Sequence, residues 1–124
     1  MIPRRWWPPV IWLGAILTAT SLPSSVLPDA VHIRYADKVV HFLMYGGLGL
    51  LLARAMHDPP RTTRFRVVLA AFLLVAAIGA LDEWHQQYIQ GRSTEFADWM
   101  ADTAGGLIGA LVWTAGERAK AIRA

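Results

Sequence analysis

The stretch VVLAAFLLVAAIGAL at residues 67–81, followed at once by Asp82-Glu83-Trp84-His85-Gln86, decides how this chain is read. With its flanks the apolar run is long enough for a helix that crosses a membrane. The acids that close it do not suit lipid, where a charged side chain costs about 3 kcal/mol or more and is seldom kept without a use. Two other apolar runs are entered through ionisable residues in the same way. Asp37, Lys38, His41 and Tyr45 lead into GGLGLLLA at 46–53, and Arg92, Glu95, Asp98 and Asp102 lead into TAGGLIGALVW at 103–113.

Composition supports a membrane setting. The chain has 124 residues, enough for a single domain, with 55% hydrophobic and 17% charged residues. Soluble domains carry about 25% charged residues. Mean hydropathy is +0.35. The absence of cysteine excludes disulfides, thiolate nucleophiles and thiolate metal sites. A net charge of +3 raises nucleic acid as a partner. The basic residues form no stripe, however, and no nucleic-acid motif accompanies them, so the expected partner is the lipid bilayer.

The hydropathy pattern predicts an all-α, four-helix transmembrane bundle in one domain, 1–124, with spans at about 7–22, 37–56, 65–88 and 96–116. Asp58-Pro59-Pro60 and Gln90-Gly91-Arg92-Ser93 break the chain between spans. Nine basic residues flank one side of these spans: Arg4, Arg5, Arg54, Arg61, Arg64, Arg66, Arg118, Lys120 and Arg123. Only Arg34, Lys38 and Arg92 flank the other. The positive-inside rule then puts both termini in the cytoplasm of a multi-pass protein of the inner, cytoplasmic membrane. Arg4-Arg5, an apolar stretch and Thr18-Ala19-Thr20-Ser21 also fit a cleaved signal peptide. Pro8-Pro9 and the poor cleavage site favour a retained span.

On this topology the polar ends of spans two, three and four share the outer face. At about 1.5 Å per residue, His41 lies about 6 Å inside, Asp82 and Glu83 about 8 Å, and Asp102 about 9 Å. Asp37, His41 and Tyr45 form an i, i+4, i+8 ladder, and Asp82 with Gln86 and Asp98 with Asp102 are i, i+4 pairs. The small residues Ala97, Ala101, Gly105 and Gly109 allow close helix approach, either within the chain or in an oligomer through the Gly105/Gly109 face. A polar cavity open to the outside is expected.

His41, Asp82, Glu83 and Asp98 are the candidate catalytic residues, as a general base and its acid partners. Asp37, Lys38, Tyr45, His85, Gln86, Arg92 and Asp102 are the candidate substrate-binding residues, with Lys38 and Arg92 suited to an anion. The acids, with His41 or His85, also suit a divalent cation through oxygen ligands, though no spacing here is a known metal motif. The structural alternative is a buried network in which Lys38 and Arg92 neutralise the acids and Arg92 pairs with Glu95 or Asp98. Trp6, Trp7, Trp84, Trp99 and Trp113 read as interfacial aromatics. His32 and His57 fall in loops and are given no role.

Several of these motifs together resemble the VanZ-like family: Ser21-Leu22-Pro23, Asp37-Lys38-x-x-His41-Phe42-x-x-Tyr45-x-x-Leu48-Gly49, Asp82-Glu83-x-His85-Gln86, Gly91-Arg92-Ser93 and Asp98-x-x-Ala101-Asp102-Thr103-x-Gly105-x-x-x-Gly109. They fall in the family's order over nearly the whole chain. The family often has Asn where this chain has Asp102. The resemblance implies a small integral membrane protein, in a family named for a component associated with teicoplanin resistance. Three functions fit the residues. The first is action on a cell-envelope or lipid-linked ligand at the outer leaflet. The second is a non-catalytic membrane scaffold or binding protein whose polar network is structural. The third is a transporter, disfavoured by the one-sided charges.

Overall fold

The computed structural model describes residues 1–124, apart from the side chains of Val31 and His32. Four α-helices, and no strand among the described residues, make up the fold: α1 (Trp7–Thr20), α2 (Ala36–Met56), α3 (Arg64–Gln86) and α4 (Phe96–Arg123). Short 3-10 turns at Arg4–Trp6, Ser24–Val26 and Asp29–His32 complete it.

The helix limits follow from local chemistry. Thr20 Oγ1 turns back onto the Ile16 carbonyl at 3.1 Å and Ser21 Oγ onto Leu17 at 2.6 Å, and Pro23 follows two residues on. Tyr35, in a left-handed conformation at φ 66, separates the loop from α2. Thr63 caps α3 by accepting from the Arg66 amide at 3.3 Å. Gly91, at φ 74, turns the chain between α3 and α4, with Ser24 packed against it. The Ser24 amide also donates to the Gln90 carbonyl at 3.3 Å, which ties the two loops of this end together.

Two helices, α2 and α3, are long and apolar enough to cross a membrane. The predicted first and fourth spans differ from the helices found. α1 stops at Thr20, and its 14 residues reach about 21 Å, which the abutting 3-10 turn Arg4–Trp6 extends to about 27 Å, near the roughly 30 Å of hydrocarbon. α4 continues past residue 116 to Arg123, because Glu117 and Lys120 pair at 2.8 Å along its last turns.

α2 and α4 run parallel and pack through glycine. A Cβ on Gly105 would run into the Phe42 carbonyl, and one on Gly109 into the Gly46 carbonyl. The Gly105/Gly109 face of α4 therefore packs on α2 of the same chain. α3 packs on α4, where Trp99 Nε1 donates to the Ala76 carbonyl at 2.9 Å. α1 packs chiefly on α2, where Trp12 Nε1 donates to Met44 at 2.8 Å. Trp6 and Trp113 pack against the core, and Trp113 meets the His57 ring edge-on. Trp99, Trp6 and Trp113 thus clamp helices together, while Trp7 and Trp84 are exposed. The outer surface is apolar on every helix, as Ile11, Leu43, Leu73, Leu81, Ile108 and Val112 show.

Candidate functional site

One end of the bundle gathers the C-termini of α1 and α3 and the N-termini of α2 and α4. Buried polar side chains collect there in three linked groups. Asp82, 1% exposed, is the centre of the first. It accepts from Thr20 Oγ1 at 2.7 Å, the Tyr45 hydroxyl at 2.8 Å and Gln86 Nε2 at 3.3 Å. These donors come from α1, α2 and α3, so a single carboxylate pins three helices. Such a set supplies the hydrogen-bond partners that a buried carboxyl group needs.

The second group joins α2 to α4. His41 Nδ1 lies 2.8 Å from Asp102 Oδ1, and both residues are buried. Glu83 adjoins them from α3. One Glu83 oxygen accepts the Glu95 amide at 3.0 Å, and the Glu83 carbonyl accepts from Thr94 Oγ1 at 3.1 Å. Glu83 Oε1 and Asp102 Oδ2 are buried with no hydrogen-bond partner.

Lys38 organises the third group. Its ammonium lies 2.7 Å from Asp37, contacts Glu95, and lies 2.8 Å from Asp98 Oδ1. The Asp98 contact is ionic, since its direction is off the line a hydrogen bond needs. With three carboxylates around it, Lys38 is not available to hold a ligand's anion.

Above these groups opens a cavity of about 440 Å³. His41, Gln86 and Asp98 line it from the helices, and Arg34 and Arg92 from the loops. Arg92 does not pair with Glu95 or Asp98, as the structural alternative had it. Its Nε and Nη2 donate to the carbonyls of Leu22 and Ala19, both at 3.2 Å, where they cap the end of α1. These acceptors are neutral, so the guanidinium keeps its full charge beside the cavity. Arg34 stacks its guanidinium 4.9 Å from the Tyr35 ring centre and also has no carboxylate partner among the described residues.

His41, Tyr45, Asp82, Glu83, Gln86, Asp98 and Asp102 are brought together and buried, with Asp37, Lys38 and Arg92 half-buried at the rim. His85 is not brought in. It is exposed on the opposite flank of α3, away from Glu83. Thr20, Thr94, Glu95 and Arg34 join the site although none was expected to bind a ligand. Thr20 was legible only as part of the small-residue stretch ending α1. The His57 ring belongs to packing, and the side chain of His32 lies outside those described. Chemically, Asp102 holds the His41 ring so that its other nitrogen is left for the cavity, the arrangement that orients an imidazole for proton transfer. Two sets of donors have the proximity to hold a cation: His41, Glu83 and Asp102, and Asp37, Glu95 and Asp98. Lys38 already fills the second.

An apolar exterior with its buried ionisable groups drawn into one end of a helical bundle defines a small membrane protein. Comparison agrees with that class. The chain belongs to the VanZ/LLP1 family, whose model matches residues 4–117. No curated protein and no solved structure matches it.

Proposed function

We propose that the protein crosses the inner membrane four times, with both termini cytoplasmic, and takes the anionic head group of a cell-envelope or lipid-linked ligand into the cavity from the outer face. The observation that carries this reading is the cavity itself, with two guanidinium groups beside it that no carboxylate neutralises. An apolar exterior lets the ligand's tail stay in lipid while its head group enters between the loops. The fork of Arg92 suits phosphate or carboxylate better than an ammonium does. Any contribution to teicoplanin resistance belongs here, as binding of an envelope ligand at this cavity.

Binding of short-chain phosphatidylglycerol to the purified protein tests the reading. Arg34→Gln and Arg92→Gln are each expected to weaken it about tenfold, the value of one charge-assisted hydrogen bond. Affinity unchanged in both variants would remove the basis for an anionic ligand. The orientation has its own test, because the chain has no cysteine to interfere. An Arg92→Cys variant in intact cells should react with a membrane-impermeant thiol reagent, and labelling from the cytoplasmic side alone would reverse the topology.

A structural reading is favoured by Asp82, whose acceptor sites are filled by protein donors. On that reading the polar network holds the bundle together, and the arginine variants lower abundance rather than affinity.

A further inference from the structure

We infer that His41, Glu83 and Asp102 bind one divalent transition-metal ion, of the Mn2+ or Zn2+ class, beneath the floor of the cavity. The three residues come from α2, α3 and α4, and one donor atom from each lies within 4.8 Å of the other two. That span is slightly wider than the roughly 4.2 Å across the inner shell of a small divalent cation, so small side-chain shifts close it. Neighbouring donors in such a shell stand about 3 Å apart. His41 Nδ1 and Asp102 Oδ1 are already 2.8 Å apart, and the ion takes the place of the proton they share.

The second observation is independent of proximity. Glu83 is 4% exposed and Asp102 fully buried, yet Glu83 Oε1 and Asp102 Oδ2 have no hydrogen-bond partner. The other Glu83 oxygen is held in place by the Glu95 amide. A buried carboxylate oxygen left bare is costly, and these two flank one imidazole. The charge points the same way. Two adjacent acids face one histidine, and the nearest lysine, Lys38, is engaged with Asp37, Glu95 and Asp98. A doubly charged cation balances that excess. Asp82 is a poorer ligand, because its oxygens already accept from Thr20, Tyr45 and Gln86. One imidazole with two carboxylates suits Mn2+ or Zn2+ better than Ca2+ or Mg2+, which favour oxygen throughout. His41 borders the cavity and gives the ion a way in.

The site is independent of any ligand above it and can be tested on its own. The full chain, purified in detergent and stripped with a chelator, is dialysed against Mn2+ and its retained metal measured. One ion per chain is expected, with a nitrogen coupling in the pulsed electron paramagnetic resonance spectrum. His41→Gln should abolish that coupling. Glu83→Gln and Asp102→Asn should each weaken affinity by about 100-fold or more. Glu117→Gln, near the opposite end of α4, should bind as the parent does. The unaltered protein decides the case even if a variant fails to fold. No retained metal overturns the site, and so does binding that shows no nitrogen coupling or persists undiminished in Glu83→Gln and Asp102→Asn. In either event the acids share a proton instead.

Discussion

Asp82→Ala is expected to leave most of the protein unfolded or aggregated in mild detergent. The substitution removes the acceptor for Thr20, Tyr45 and Gln86 at once and leaves these donors facing an apolar gap. A buried donor without a partner costs about 1–3 kcal/mol, so the loss of three is about 3–9 kcal/mol before any repacking. A small domain has only about 5–15 kcal/mol in total. α1 should come away first, since Thr20 is its side-chain hydrogen bond to α3 and its other ties are Trp12 on α2, Ile16 in the core and Arg92 at its end. Asp82→Asn keeps one carbonyl acceptor and should lose less, about 1–3 kcal/mol. Thr20→Val and Tyr45→Phe each remove one donor and keep the shape, and should cost about 1 kcal/mol apiece. Melting followed by size-exclusion recovery ranks the series. A parent-like midpoint for Asp82→Ala would show that the carboxylate does not hold the bundle, and would return it to the list of purely chemical residues.

That result bears on how the sequence reading divided structure from function. The ladders Asp37–His41–Tyr45 and Asp98–Asp102 were legible because helical spacing alone puts them on one face. The ends of α2 and α3 were legible within a residue or two, because Asp58-Pro59-Pro60 and the Gly91 turn bound them. Helical phase also explains His85. At about 100° per residue, Asp82, Glu83 and Gln86 fall within one arc, with His85 on its far flank and Trp84 opposite. Spacing therefore contained the exposure of His85, which its nearness in sequence to Glu83 obscured.

The pairings were not legible. Which acid meets which base depends on the rotation of one helix against the next. Lys38 takes Asp98 from α4 and Glu95 from the loop, and these choices follow from the parallel seam of α2 and α4. In sequence Arg92 reads as an anion-binding residue, with an ion pair to Glu95 or Asp98 as the structural alternative. Its actual acceptors are backbone carbonyls exposed only where α1 ends. No sequence pattern marks a carbonyl as free. Thr20 was missed for a related reason: within Thr18-Ala19-Thr20-Ser21 it is one small residue among several until the opposite helix brings an aspartate to it.

The seam that sets those pairings predicts the second large effect. Gly109→Val should force α2 and α4 apart and lose about 3 kcal/mol or more. The added Cβ would meet the Gly46 carbonyl and lie 2.9 Å from the Leu50 amide, and these are backbone atoms that no rotamer change can move. Gly105 and Gly49 face backbone in the same way, so no neighbouring turn can absorb the displacement. The separation would be felt at the polar end, about two turns away, where His41 and Asp102 bridge the same two helices at 2.8 Å. Gly109→Val should thus lower the melting midpoint and weaken metal retention together, although Gly109 touches neither residue of that pair. Gly14→Ala and Gly116→Ala supply the contrast. A Cβ at either meets nothing within 4 Å, so both should melt no lower than the parent. If Gly109→Val melts with these two, the close approach of α2 and α4 does not position the site. If it melts early yet keeps its metal, the His41–Asp102 geometry is held by the Lys38 group at the rim rather than by the glycine seam.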